Sequence, residues 1–172
     1  MSRKYLNDRW CVRCNKCTPT PYLVKHLDQF LLGFGNDVFI VDMGCGNGRN
    51  SKFLKELGYF HTMSFDMAGS YGLPMILGKE KFPVRDHSIM AILANYVLMF
   101  LNQRERAQVR SEIIRMAAPG CRLMVELYPA KDSCFQSVNG LEIMKNKLIA
   151  DLCNAGWTTL HNVKHKFIME NK

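Results

Sequence analysis

The chain has 172 residues, of which 48% are hydrophobic and 22% are charged, and its formal net charge is +8. This length suits one domain that buries roughly 70% of its unfolded surface, and the composition excludes a disordered or collagen-like chain. No apolar run reaches the ~20 residues that span a bilayer, and the amino terminus carries no apolar secretory segment. We therefore expect a cytoplasmic protein with no membrane contact.

The positive charge is spread along the whole chain instead of being concentrated in one block. Such a surface is typical of a solvated basic protein, and it is also compatible with binding of nucleic acid. Both interpretations are open at this point.

The seven cysteines favour reduced thiols, because Cys45, Cys121 and Cys153 fall at apparent core positions in a chain long enough to fold without disulfides. An N-terminal arm, residues 1–21, adds three more at C-x-x-C spacing, namely Cys11, Cys14 and Cys17. A tetrahedral zinc site needs four ligands, and only His26 lies near them in sequence. We predict no resident metal, with the three arm cysteines as the alternative.

The first predicted elements alternate between helix and strand. Residues 22–34 have apolar side chains at helical spacing and end in glycine, so a helix is predicted there. Residues 37–43 are apolar on both faces, as a central parallel strand requires. Residues 50–59 again have helical spacing, with Asn50 or Ser51 as the N-cap.

The later elements continue this alternation: strands over 61–67 and 89–96, a helix over 104–117, a strand over 121–128, a helix over 141–157, and one or two strands in 158–172, of which one could be antiparallel. This order predicts a single domain of the α/β class. Its sheet should be doubly wound and mostly parallel, with helices on both faces and hence three layers.

Three glycines at alternate positions, Gly44, Gly46 and Gly48, directly follow the first predicted strand, and Asp42 precedes them. In a doubly wound sheet, ligands bind outside the carboxyl ends of the strands, where glycine lets a ligand approach the backbone. Asp66 ends the second strand 20 residues after Gly46 (66 minus 46), where a carboxylate can accept both hydroxyl groups of a ribose. The pattern predicts a site for an adenosine-like group.

A dinucleotide fingerprint, G-x-G-x-x-G, would require glycine at position 49, where this chain has Arg49. The chain has D-x-G-x-G-x-G instead, and from about Trp10 to its last residue it resembles the class I S-adenosylmethionine-dependent methyltransferases. The resemblance implies a Rossmann-like fold, S-adenosyl-L-methionine as the cofactor and S-adenosyl-L-homocysteine as the product.

The resemblance also implies roles for individual residues. Asp42 would bind the methionine end of the cofactor, Asp66 its ribose, and Met67 its adenine. Asn95 and Tyr96 would end the fourth strand, facing the transferred methyl group. The implied cofactor-binding set is Asp42, Gly44, Cys45, Gly46, Asn47, Gly48, Asp66, Met67 and Asn95.

Two fragments, "GCGNGRNSKFL" and "NYVLMFL", more narrowly resemble the tellurite-resistance methyltransferases and their small-molecule relatives. This likeness implies a small-molecule or metalloid acceptor. The family's acidic residues are missing at Gly78 and Met90, so the contact to the adenine edge is unassigned unless Glu80 supplies it.

A sulfonium methyl is already electrophilic, so its transfer depends on orientation and exclusion of water more than on a dedicated acid or base. No catalytic residue is assigned, and Asn95 and Tyr96 are the weak candidates. Other groups near strand ends that could take a proton are His87, Glu126 and Tyr128. Trp10 and Arg13 in the arm, and Tyr22 directly after it, are candidates for a lid over the cofactor.

Two alternative functions are open. The basic surface would suit an RNA, DNA or protein methyltransferase, although such enzymes usually add a recognition domain. The changes at Gly78 and Met90 would suit an inactive regulatory module that still binds the cofactor. The sequence makes no prediction of the oligomeric state.

Overall fold

The computed structural model describes residues 18–67, 71–128 and 138–172. The helices in these ranges are α1 (Pro21–Lys25), α2 (Leu27–Leu31), α3 (Arg49–Glu56), α4 (Gln103–Met116) and α5 (Val138–Asn154), with a short 3₁₀ helix at Leu98–Phe100. The strands are β1 (Ile40–Met43), β2 (Thr62–Asp66), β3 (Leu73–Pro74), β4 (Ile89–Asn95), β5 (Ala117–Glu126), β6 (Trp157–Val163) and β7 (Lys166–Asn171).

The strands form a seven-stranded sheet in the order β3-β2-β1-β4-β5-β7-β6. The pairs among β1 to β5 are parallel, whereas β7 runs antiparallel to both β5 and β6. The chain order reverses direction in the sheet between β1 and β4, which makes their carboxyl ends the switch point where ligands bind. The predicted doubly wound, mostly parallel sheet is confirmed, and one of the last two strands is antiparallel.

Alternating side chains of the strands divide the core into two parts. In β4, Ala91 and Leu93 pack in a cluster with residues of α1, α2 and α3, whereas Ile92 and Ala94 pack in another cluster with residues of α4 and α5. Strands that are apolar on both faces must be covered on both faces. The predicted three layers are therefore present.

Several local predictions differ from the structure. The helix predicted over 22–34 is broken at His26, whose backbone leaves the helical region (φ −114°, ψ 20°). The N-cap of α3 is Gly48 in a left-handed conformation, not Asn50 or Ser51. The side chains of those two residues instead bond to Thr20 and Asp42, so tertiary contacts have replaced the caps.

Two further features depart from the sequence-based picture. β5 begins at Ala117, four residues before the strand predicted over 121–128, so Pro119 and Gly120 lie within it, next to a register shift against β4. Cys45 and Cys121 are buried as expected, but Cys153 is exposed on α5. No helix in the described ranges is long and apolar enough to cross a membrane.

Candidate cofactor site

The loop between β1 and α3, residues 44–48, lies at the switch point of the sheet. Gly44, Gly46 and Gly48 all have positive φ, at 68°, 56° and 76°. This is the left-handed region, which side chains other than glycine rarely occupy. The loop is anchored to the neighbouring strand, because the amides of Gly44 and Cys45 both donate to the carbonyl of Phe65, at 2.7 and 3.1 Å.

The surroundings of the three glycines differ. A Cβ atom on Gly44 would lie 2.4 Å from the Val97 side chain, and one on Gly48 would lie 2.2 Å from the Tyr71 ring. A Cβ atom on Gly46 would meet no described atom within 4 Å. Packing therefore explains two of the glycines, whereas Gly46 presents bare backbone to open space.

Asp66, the last residue of β2, reaches this bare backbone. Its Oδ2 accepts a hydrogen bond of 3.0 Å from the Gly46 amide. An ionised carboxylate only accepts hydrogen bonds, so its chemistry suits groups that donate, such as the hydroxyl groups of a ribose. The structure thus brings together two of the residues that the sequence pattern singled out, Gly46 and Asp66.

Asp42 lies beneath the loop and is 2% exposed. The Ser51 hydroxyl donates to its Oδ2 at 2.5 Å, and the Ser64 hydroxyl donates to Ser51 at 2.8 Å. Burial raises the pKa of Asp42 to about 6, since the bond from Ser51 opposes the shift only in part. This carboxyl therefore keeps its proton to a higher pH than an exposed aspartate does.

The loop's remaining two residues have structural contacts. The Asn47 side chain accepts a hydrogen bond from the Arg49 amide at 3.3 Å, at the start of α3. Burial, with Asp42 nearby, raises the pKa of the Cys45 thiol to about 12. A thiol that keeps its proton is a poor nucleophile, so Cys45 serves packing.

A second group of polar side chains continues along the same edge of the sheet and was not foreseen as a unit. Asn95 of β4 is the register partner of Glu126 in β5, and Glu126 is the partner of Lys166 in β7. We call these three residues the carboxyl-edge row. The Glu126 side chain is fully buried, and its Oε2 forms a 2.9 Å ion pair with Lys166.

The amide of Asn95 is held on its nitrogen side. Nδ2 donates to Thr20 Oγ1 and to Glu126 Oε1, both at 3.1 Å. Its Oδ1 is buried and has no hydrogen-bond partner among the described residues. A buried amide oxygen without a partner is costly, at about 1–3 kcal/mol, so this atom is an acceptor that calls for a donor.

Tyr96, directly after β4, has a positive φ of 59°. Its hydroxyl donates to Glu126 Oε2 at 2.7 Å, and burial together with Glu126 raises the pKa of Tyr96 well above its ordinary range. The Tyr128 ring meets the Tyr96 ring edge-on, with a centroid separation of 6.5 Å, and the Arg49 guanidinium lies 5.8 Å from the Tyr96 centroid. These groups form an aromatic corner beside the row.

Other candidates lie elsewhere. His87 precedes β4 and is exposed, so it sits at the opposite edge of the sheet from the glycine loop and cannot serve there as a base. Glu80 accepts a hydrogen bond from the Ile76 amide at 2.8 Å, which stabilises a surface turn. Tyr22 is buried, and its hydroxyl contacts His161 Nδ1 at 2.8 Å. Met67 adjoins Asp66 at the end of its described range.

The arm cysteines Cys11, Cys14 and Cys17, with Trp10 and Arg13, fall outside the described residues. Within the described ranges no group of three or more His, Cys, Asp or Glu side chains could hold a metal ion.

Sequence reasoning missed Thr20, Ser51 and Lys166, which bond to site residues, and Ser64, which bonds to Ser51. One signal was available in the strands. Asp42, Asn95 and Glu126 occupy positions with the same inward parity as Ile40, Leu93 and Met124, which are core residues. A polar residue at a buried parity position requires a partner, although the sequence does not say which one.

No family model and no curated protein matches the sequence. The chain is similar in structure to geranyl diphosphate C-methyltransferase from Streptomyces coelicolor A3(2), solved with Mg2+, geranyl diphosphate and S-adenosyl-L-homocysteine (12% identity, TM-score 0.61, covering 81% of this chain and 61% of that one). It is also similar to a SAM-dependent methyltransferase from Archaeoglobus fulgidus (14% identity, TM-score 0.60, covering 91% and 70%).

A third similar structure is the [4+2]-cyclase SpnF, at 16% identity and a TM-score of 0.59, covering 81% of this chain and 57% of that one. The chain thus spans only about three fifths of the cyclase and of the geranyl diphosphate enzyme. At these identities the likeness is one of fold alone. The chain has the Rossmann-like fold of methyltransferases, and one fold can support different reactions.

Proposed function

We propose that this chain is an S-adenosylmethionine-dependent methyltransferase that acts on a small molecule. The observation that carries the proposal is the 3.0 Å contact between the Asp66 carboxylate and the Gly46 amide, in a left-handed glycine turn at the switch point of the sheet where no described atom lies within 4 Å of the Gly46 Cβ position. Structures of the same fold contain S-adenosyl-L-methionine, S-adenosyl-L-homocysteine or sinefungin, which supports this class of ligand.

The residues of the site fit the parts of this cofactor. Asp66 is suited to the ribose hydroxyls, and Met67 follows it on the side proposed for adenine. Asp42 lies toward the methionine end, and the unpartnered Oδ1 of Asn95 is suited to the α-ammonium group. Gly44, Cys45, Asn47 and Gly48 hold the loop in the shape that exposes the Gly46 backbone.

The bound cofactor would supply an electrophilic methyl group, and the chain would supply orientation and a water-excluding wall. Tyr96 keeps its proton because its pKa is raised, so its hydroxyl acts as a hydrogen-bond donor to Glu126 and not as a base. Glu126 in turn accepts from Asn95, Tyr96 and Lys166. We therefore assign no general base to this pair.

The aromatic corner supports a small acceptor. Tyr128 is 58% exposed although it is a large aromatic residue, and its ring and that of Tyr96 meet at the carboxyl ends of β5 and β4. Exposed aromatic side chains beside a polar row are typical of pockets for organic molecules. The similar geranyl diphosphate enzyme has a small molecule as its named ligand.

Isothermal titration with S-adenosylmethionine and S-adenosylhomocysteine tests the proposal. We expect micromolar binding to the wild type. Asp66→Ala should weaken binding about 10- to 100-fold, because hydrogen bonds to a charged group contribute about 1.5–3 kcal/mol. Gly46→Leu should weaken it at least as much, since the new side chain would fill the open space at the loop.

The matched control is Gly33→Leu. Gly33 also has a positive φ, of 82°, and no described atom lies within 4 Å of its Cβ position, but it precedes β1 and so lies away from the carboxyl edge. The Gly33→Leu variant should bind both cofactor forms with the affinity of the wild type. Unchanged affinity in both site variants would remove the site assignment, and no binding by the wild type would reject the proposal. A salt-sensitive mobility shift with RNA or DNA would favour the nucleic-acid alternative.

A further inference from the structure

The amide of Asn95 can in principle be placed with either its oxygen or its nitrogen toward Glu126, and the two placements offer opposite hydrogen-bonding groups to a ligand. An ionised carboxylate only accepts hydrogen bonds. With Glu126 Oε1 at 3.1 Å, the Asn95 nitrogen must face it, and the amide oxygen must then point away. The observed orphan Oδ1 is the result of this arrangement.

Glu126 is itself held in place from three sides. Oε2 accepts from the Tyr96 hydroxyl at 2.7 Å and pairs with Lys166 at 2.9 Å, while Oε1 accepts from Asn95. The side chain is fully buried, and the ion pair with Lys166 balances its charge. A buried charge without such partners would be strongly destabilising. The carboxylate therefore provides a fixed acceptor against which the Asn95 amide is aligned.

The position of Asn95 points to the amino-acid end of the cofactor. Its Nδ2 also donates to Thr20 Oγ1, and the Thr20 amide donates to Asn50 Oδ1 at 2.9 Å. Asn50 lies in the first turn of α3, directly after the glycine loop. Thr20 thus connects the end of β4 to the first turn of α3, and Asn95 lies two residues beyond Leu93, the register partner of Asp42.

We infer that Glu126 is a positioning residue, which orients the Asn95 amide so that its oxygen accepts a hydrogen bond from the α-ammonium group of the cofactor. This inference rests on the proposed function. Glu126 does not touch the cofactor itself. It acts through Asn95, and its effect should be confined to ligands that carry the amino-acid part.

Two nucleosides separate this role from a general structural one. S-adenosylhomocysteine carries the α-ammonium group, and 5′-methylthioadenosine lacks the whole amino-acid part. In Glu126→Gln the new amide can donate to Asn95, so the Asn95 amide can turn and present its nitrogen to the ligand. We expect binding of S-adenosylhomocysteine to weaken about 10-fold, and binding of 5′-methylthioadenosine to stay within about 2-fold of the wild type.

A double-mutant cycle with Asn95→Ala tests whether Glu126 acts through Asn95. Asn95→Ala alone should weaken the binding of S-adenosylhomocysteine but not that of 5′-methylthioadenosine. In that background, Glu126→Gln should cause no further loss. The matched control is Glu170→Gln, which also removes a carboxylate from an ion pair in the sheet, that with Arg122 at 3.1 Å, but at a distance from the site. It should leave both affinities unchanged.

Three outcomes would overturn the inference while the proposed function stands. Glu126→Gln could lose affinity equally for both nucleosides, or for neither. It could also lose as much affinity in the Asn95→Ala background as it does alone. If Glu126→Gln is too unstable to purify, Asn95→Ala alone decides, because equal loss of both nucleosides or no loss would overturn the inference. A wild-type protein that binds neither nucleoside would overturn the proposed function and the inference together.

Discussion

The glycine loop and the carboxyl-edge row are adjacent at one edge of the sheet, but they are built in different ways. The loop uses uncharged backbone, and its contact with Asp66 joins residues 20 positions apart. The row uses buried charge, and its contacts join residues 30 positions apart for Tyr96 and Glu126 and 75 positions apart for Thr20 and Asn95. The contact of the loop joins two consecutive strands, β1 and β2, whereas the row forms only when distant parts of the chain have come together.

This difference has consequences for energetics. In the loop, changing a residue alters backbone conformation or fills open space, so function should suffer more than stability. In the row, removing one member leaves a buried charge or amide without its partner, which costs far more than a surface contact. Mutations should therefore separate the two regions, and the following three predictions are ordered from the largest expected effect to the smallest.

Lys166→Met should give the largest loss of stability. Glu126 is fully buried, so removal of its cation leaves an uncompensated charge, and breaking a buried pair costs about 3–5 kcal/mol. Because Lys166 is 35% exposed and water can replace part of its effect, we expect the free energy of unfolding in urea to fall by about 3 kcal/mol.

Lys79→Met is the control for that loss. Lys79 is 62% exposed and lies 3.8 Å from Glu105, so its pair should contribute less than about 0.5 kcal/mol. Similar losses in the two variants would mean that the row is no more sensitive than the surface.

The second prediction concerns Asp42, which lies beneath the glycine loop, and how the stability of the protein depends on pH. The pKa of Asp42 is raised from 3.8 to about 6 in the fold by burial, so the folded state favours the protonated carboxyl. The contribution of the Asp42 carboxyl to the free energy of unfolding is fully present below pH 3.8 and is lost as the pH rises through about 6. The total change is on the order of 2–3 kcal/mol. Asp42→Asn should lack this dependence.

The measurement is urea unfolding of both proteins at pH 4, 5, 6 and 7. Stability of the wild type relative to Asp42→Asn should fall across this range, because only the wild type must ionise a buried group. Parallel profiles would show that Asp42 does not titrate near neutral pH. The same carboxyl should release its proton when the positively charged methionine end binds, so cofactor affinity should rise from pH 5 to 7.

Tyr22→Phe should have the smallest effect on stability. Tyr22 lies next to Lys166 but is not one of the three residues of the row. The Tyr22 hydroxyl contacts His161 Nδ1 at 2.8 Å, while Lys166 Nζ lies 5.0 Å from its ring centroid. Removing the hydroxyl should cost about 1 kcal/mol in thermal or urea unfolding, the usual contribution of one hydrogen bond.

Tyr59→Phe is the comparison for this substitution, because Tyr59 packs against the same side of the core and its hydroxyl has no hydrogen bond among the described residues. It should change stability by less than about 0.5 kcal/mol. A loss in Tyr22→Phe as large as that in Lys166→Met would mean that the charged network extends to α1.

The sequence was sufficient for the fold and for the loop because both follow from local patterns. Apolar runs at strand and helix periods predicted the order of elements, and the glycines after β1 together with Asp66 at the end of β2 predicted the switch point. The two-residue strand β3 was not predicted, because Leu73–Pro74 is too short to show a period and both residues are exposed.

Details that depend on tertiary contacts could not be predicted in the same way. Asn50 and Ser51 have the chemistry of N-caps, yet Asn50 bonds to Thr20, 30 positions away, and Ser51 bonds to Asp42 in β1. His87 lies near a strand in sequence, but at its beginning, which is the wrong edge for the site. Lys166 was one basic residue among many until strand order placed β7 beside β5.

That strand order also affects how the protein is made. On a ribosome, Glu126 emerges 40 residues before Lys166 (166 minus 126), and β7 must enter the sheet between β5 and β6. Until this late hairpin docks, β5 has an unpaired edge and a carboxylate without its cation, both of which favour non-native association. We therefore expect the nascent chain to be prone to aggregation and to chaperone capture in the interval between synthesis of these two residues and docking of the hairpin.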